Sequence, residues 1–154
     1  MQTAQTHSHR RAEEELADKT LLQEVLQLAN APLIGVAPGM SPDIKNHFES
    51  RLAELGWANE PRVHPDHNPT INAMKQRVGL TVQTGNITRA FYDLMKFEAM
   101  YLRDRVDVTV LLLPTAPAAI TLGSNIANFG RVTEELHELF FHIVSVPVLI
   151  ISFE

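Results

Sequence analysis

The sequence predicts a three-layer α/β domain with a central mixed sheet flanked by helices. Three observations carry this. Val78–Gln83 alternates, with Val78, Leu80 and Val82 on one side and Gly79, Thr81 and Gln83 on the other, the period-two signature of a strand. Val106–Leu113 and Val146–Phe153 are apolar runs of the kind found in strands buried on both faces. A helical pattern separates those two runs, which predicts a right-handed crossover and a parallel pair.

Taken in order, residues 1–9 (MQTAQTHSH) lack periodicity and read as a flexible solvated arm, not as a metal-binding tract, despite His7 and His9. Residues 10–154 then form one domain. Arg10 to Asn30 is helical, with Leu16, Leu21, Val25, Leu28 and Ala29 as its stripe and Glu13–Glu15 at the positive end of the dipole. Asn30-Ala31-Pro32 ends it, and Leu33–Met40 is a loop or brief strand. Ser41 is an N-cap with Pro42 at the first helical position, and Ile44, Phe48, Leu52 and Leu55 repeat until Gly56 stops the helix.

Residues 58–70 (ANEPRVHPDHNPT) carry three prolines and two histidines. Turn chemistry accounts for that composition better than a metal cluster of His64, Asp66 and His67. After a turn at Lys75–Gln76 and the central strand, Thr88–Arg103 is a helix with Phe91, Met95, Ala99 and Leu102 inward. Arg89, Lys96 and Arg103 lie near its polar side, with Asn86 in the turn before it. Pro114 and Pro117 end the next strand, and a helix over roughly Asn128–Phe140 follows, with Val132, Leu136, Leu139 and Phe140 as its stripe.

Composition bounds the function. At 154 residues the chain suits one domain with a real core. A formal net charge of −5 runs against the basic surplus common among DNA-binding proteins, although a local basic groove can sit on an acidic body. There is no cysteine, so no thiolate metal site and no disulfide can form, which is compatible with a cytoplasmic location. Neither the polar start nor the short apolar runs suggest a signal peptide or a membrane span.

The chain is organised around Asn72–Lys96. Gln83, Gly85-Asn86, Tyr92-Asp93-Leu94 and Lys96 occur there in order. Val106-Asp107-Val108, Val110–Pro114, Gly123-Ser124-Asn125, Asn128-Phe129, Glu135-Leu136 and Val146-Pro147-Val148 follow. This series resembles type II restriction endonucleases of the PD-(D/E)xK superfamily, nearest the Bgl-type branch, over roughly the C-terminal two thirds of the chain. The resemblance implies a restriction-endonuclease-like fold, Mg²⁺ as cofactor, double-stranded DNA as substrate and a homodimer or partner subunit. It implies an Asp on a hairpin and a Glu-x-Gln strand. Here Asn72 stands where the Asp belongs and Thr81 where the Glu belongs, and only Gln83 of the three metal-site positions is kept. Pro65-Asp66 also spells a "PD", but the spacing from Asn72 to Thr81 fits this branch. An acid on an early helix can assist such sites. Glu49 and Glu54 are nearest, although a solvated helix face is the better explanation of them. Asn86, Arg89 and Lys96 are candidates for the DNA backbone, with an ordinary charged helix face as the alternative.

Hydrolysis of a phosphodiester with metal help needs Mg²⁺ held by carboxylates beside the phosphate. Two unit charges about 4 Å apart are worth roughly 4 kcal/mol at an effective dielectric of 20, so losing both acids weakens the metal by orders of magnitude. Two readings follow. One is an endonuclease by ancestry, inactivated or relying on Glu49, Asp66 or Asp93. The other is a pseudonuclease kept as a DNA-binding or protein-assembly module, regulating a defence complex.

Overall fold

The computed structural model describes residues 4–30 and 35–154. Residues 1–3 of the expected arm, and Ala31–Ile34 at the helix end and in the following loop, lie outside them. The frame is a six-stranded mixed sheet in the order β1-β6-β5-β4-β3-β2. Its strands are β1 Thr6–His9, β2 Ala58–Asn59, β3 Ala73–Lys75, β4 Val78–Val82, β5 Val108–Pro114 and β6 Val148–Phe153. β4 pairs parallel with β5, and β5 with β6, while the outer pairs are antiparallel. The expected parallel crossover pair is therefore present, at the centre of the sheet.

Alternation along the strands divides the core in two. Val78, Leu80, Val82, Val110, Leu112, Leu149 and Ile151 pack on one face against α1 (Ala12–Asp18), α2 (Leu22–Asn30) and α3 (Ser41–Glu54). Leu111, Leu113, Val148 and Ile150 pack on the other against α4 (Ile87–Leu102) and α6 (Phe129–Glu138). The three layers expected from the sequence are these. The Gly79–Thr81 face of β4 is buried too, with Ile71, Val106 and Thr109 close around Gly79.

Several expectations are corrected. The N-terminal segment is an edge strand and not a free arm: Thr6–His9 pairs with Val148–Ile151, and Gln5 exchanges bonds with Ser152. The open backbone edge of β6 supplies the pairing that residue pattern alone does not reveal. The helix expected from Arg10 to Asn30 is two helices, broken where Thr20 takes a φ of 60°. Met40 is the N-cap of α3, and the Ser41 hydroxyl donates to the Thr84 carbonyl at 3.0 Å instead. The β3–β4 turn is centred on Gln76–Arg77, both at positive φ, one residue later than expected. Such a two-residue turn matches the twist of the strands. Pro117 does not prevent helix α5 (Ala116–Leu122), because a proline in the first turn costs no hydrogen bond.

The inward face of α4 is also different. Ile87, Ala90, Leu94, Phe97 and Met100 are buried, whereas Met95 is 58% and Leu102 72% exposed. Leu139 beyond α6 is likewise 63% exposed. Helix α4 carries two apolar stripes at equivalent spacing, so periodicity could not choose between them. Docking on the sheet chooses.

Candidate functional site

The β3–β4 hairpin sets the site. Ala73 pairs with Leu80, so one step further Asn72 stands opposite Thr81. Asn72 is buried and engaged at both ends of its amide. Its Oδ1 accepts from the Val82 N–H at 2.8 Å, and its Nδ2 donates to Glu49 Oε1 on α3 at 2.9 Å. Lys45, one turn earlier on α3, approaches the same Glu49 oxygen at 3.6 Å. Thr81 is buried, and its hydroxyl has no hydrogen-bond partner among the described residues.

Gln83 links the end of β4 to α4. Its Nε2 donates to Asp93 Oδ2 at 2.5 Å, and its Oε1 accepts from the Gly85 N–H at 2.9 Å. Asp93 is 2% exposed and pairs with Lys96 Nζ at 3.0 Å. Burial pushes the Asp93 carboxyl above the ordinary range, opposed by the Gln83 hydrogen bond and the Lys96 charge. Lys96 also donates to the Thr70 carbonyl at 2.8 Å and lies 5.0 Å from the Tyr92 ring centroid.

Asn72, Thr81, Gln83, Arg89 and Lys96 all line one polar cavity of about 220 Å³, together with Lys45, Glu60 and Asp93. The hairpin and α4 thus bring together five of the six residues singled out from the sequence. Asn86 is not among them. Its carboxamide oxygen caps α4 by accepting from the Thr88 N–H at 2.9 Å. Glu54 is at the surface beside Arg51, and Asp66 is exposed in its loop, with its N–H on His64 Nδ1. Arg103, His64 and His67 border a neighbouring pocket with Tyr92 and Met95. Lys45 and Glu60 were not legible as site residues. No motif marks them, and only the packing of α3 and of the loop after β2 brings them to the cavity.

The pattern that defines the restriction endonuclease BglII/BglIII family matches residues 4–153. The chain belongs to that family. The fold is similar to the crystal structure of BglII complexed with a DNA 16-mer, at 12% identity and a TM-score of 0.83, covering 99% of this chain and 76% of that one. It is also similar to free BglII, at 14% identity and a TM-score of 0.71, covering 100% of this chain and 80% of that one. No curated protein matches the sequence.

The Mg²⁺ that a restriction endonuclease fold implies meets a donor set here that does not fit it. Mg²⁺ takes carboxylate and water oxygens in a near-octahedral shell. The Asn72 oxygen accepts from the Val82 N–H and the amide nitrogen donates to Glu49 Oε1, so neither end of that amide offers a free oxygen ligand. Asp93 is bound by Lys96 and Gln83. Among the described residues no group of three or more His, Asp or Glu side chains is arranged to hold a metal ion.

Proposed function

We propose that this member of the BglII/BglIII family has a disarmed metal site and keeps contact with duplex DNA without Mg²⁺-dependent phosphodiester hydrolysis. The Asn72–Glu49 hydrogen bond carries this reading. It replaces a carboxylate pair that would demand a cation with an amide–carboxylate pair that satisfies itself. Arg89 and Lys96 border the cavity and support retained contact with the DNA backbone, as does the similarity to a protein whose crystal structure is a complex with DNA. The reading that Glu49 and Asp93 substitute as metal ligands is weaker, because Asn72, Lys45, Gln83 and Lys96 already satisfy both.

The partner surface belongs to the same proposal. Tyr92, Met95 and Leu102 on α4, with Leu139 and Ile143 after α6, are large apolar side chains left exposed, and they support a homodimer or a partner subunit. No described helix is long and apolar enough to cross a membrane, and the cysteine-free sequence supports the cytoplasmic location proposed with it.

The deciding experiment titrates the purified chain with Mg²⁺ and Mn²⁺, in the presence of labelled duplex DNA and supercoiled plasmid. Binding without cleavage is expected. Cleavage at metal-dependent rates overturns the disarmed site. Absence of any DNA binding overturns the retained contact and favours the assembly module.

A further inference from the structure

We propose that two copies of this chain exchange β1, residues 4–9 of each seating on β6 of the other, with Arg10–Arg11 as the hinge. This pairing is separate from the exposed apolar stripe of α4, and neither depends on the other.

The hinge is strained. β1 is an outer strand of the sheet, and two residues join it to α1. Both are left-handed, Arg10 at a φ of 58° and Arg11 at a φ of 61°. Glycine adopts such angles freely, and Asn or Asp can offset them with a short polar group, but arginine has neither means. Gln76–Arg77 is also a left-handed pair, yet it joins two strands of one hairpin, whose twist that turn matches. Arg10–Arg11 joins a strand to a helix, where no such match repays the strain. Opening the hinge to an extended backbone relieves it, and short strained hinges promote strand exchange for this reason.

The contacts of β1 point to a second copy as the occupant. Thr6–His9 pairs in register with Val148–Ile151. The Gln5 N–H donates to Ser152 Oγ at 2.8 Å, its carbonyl accepts from the Ser152 N–H at 2.9 Å, and the Ala4 N–H donates to Asn30 Oδ1 at 2.9 Å. His9 is 2% exposed, with Nε2 2.6 Å from the Val144 carbonyl oxygen and its ring edge-on to Phe141. All of these run from residues 4–9 to the far side of the hinge, so an identical segment from another copy restores every one. A foreign strand would have to bring the same register and a histidine for Val144. What exchange gives up lies at the hinge itself, in the Arg10 bonds to the Phe141 and Val144 carbonyls.

Within one copy the short link holds β1 near β6 at an effective concentration of millimolar order. Strain relief lowers the concentration at which a second copy competes, and the lost Arg10 bonds raise it. Exchange is therefore expected at about 0.1–1 mM chain.

The test uses the full chain carrying Met95→Glu, so that the α4 stripe contributes no dimer. The sequence has no cysteine, so Gln5→Cys with Ser152→Cys supplies one reporter pair. These positions face each other as a hydrogen-bonded antiparallel pair, whose Cα separation of about 5.5 Å suits a disulfide. The chain is equilibrated at about 10 µM and about 1 mM, diluted, oxidised at once and run without reductant. An intrachain bond is expected from the first sample and a covalent dimer from the second. Arg11 is exposed, so it can be replaced without touching the core. Arg11→Gly should weaken the dimer about tenfold or more and raise the melting temperature of the monomer, while Arg11→Val should do the reverse. Size exclusion of the same chains without the two cysteines is the second readout, which does not need the disulfide to close. Monomer at 1 mM in that readout overturns the exchange. So does a dimer that carries only intrachain disulfides, which assigns it to another surface, or a covalent dimer whose yield ignores residue 11. The homodimer through Met95 is read separately, on the parent chain at micromolar concentration.

Discussion

Asn72 Nδ2 donates to Glu49 Oε1 at 2.9 Å across 23 residues of sequence. The bond joins the first residue before β3 to the middle of α3, and it makes the nature of residue 72 a question of stability as well as chemistry.

Asn72→Asp is therefore expected to place two carboxylates against each other. The variant should lose about 1–3 kcal/mol of stability in EDTA, the cost of a broken buried polar pair. Mg²⁺ should restore part of that loss. Thermal unfolding with and without the ion checks it, and a variant as stable as the parent in EDTA would show that the Glu49 contact carries no weight.

Adding Thr81→Glu to Asn72→Asp should supply the second missing acid. Metal-dependent nicking of plasmid DNA is expected from the double variant, with little from either single change, because one carboxylate leaves the ion under-coordinated. Ca²⁺ should not substitute for Mg²⁺ in the assay. A folded double variant that binds Mg²⁺ but leaves DNA intact sinks the disarmed-nuclease reading.

Asn86 caps α4, so Asn86→Ala should cost about 1 kcal/mol, the usual worth of an N-cap. DNA affinity should change little, since the side chain does not border the cavity. Chemical denaturation and anisotropy on the same preparation separate the two effects. A large loss of affinity with normal stability would restore Asn86 to the DNA surface.

The histidines of β1 tie stability to pH. Burial lowers the pKa of His9, whose Nε2 lies 2.6 Å from the Val144 carbonyl oxygen, and of His7, which also faces His137. A folded pKa below the unfolded value of about 6.5 means that the unfolded chain takes the proton first. Stability is then full above pH 6.5 and falls as pH drops toward the folded values. Arg10, bonded to the Phe141 carbonyl and placed over its ring, adds repulsion to any new charge. Amide exchange at Thr6–His9 should be faster at pH 5 than at pH 7, and His9→Gln should flatten the dependence. Equal protection at both pH values would rule this out.

Met95→Glu tests the exposed stripe of α4. Light scattering should show a dimer for the parent chain and a monomer for the variant, with unchanged melting of the monomer unit. A monomeric parent at micromolar concentration would remove the homodimer.

The sequence by itself determined what repeats locally. Val78–Val82 alternates over a short distance, and the runs ending in Leu113 and Phe153 have strand length, end apolar and are separated by a helical pattern, so the mixed three-layer sheet was legible. The pairing of Asn72 with Thr81 followed from the spacing shared with the resembling enzymes and not from the turn, because a turn at Lys75–Gln76 would set Asn72 against Gly79, and only the turn at Gln76–Arg77 sets it against Thr81. Tertiary structure decided what depends on distant partners. Thr6–His9 has no strand pattern and becomes a strand because β6 offers it an unpaired edge. Helix α4 has two apolar stripes, and only the shape of the sheet buries Leu94 and Phe97 while leaving Met95 and Leu102 outside. The partners of Asn72 and Asp93 follow from the packing of α3 and α4 on either side of the hairpin. Such contacts leave no periodic trace in the chain, because a single hydrogen bond constrains one side chain and not a pattern.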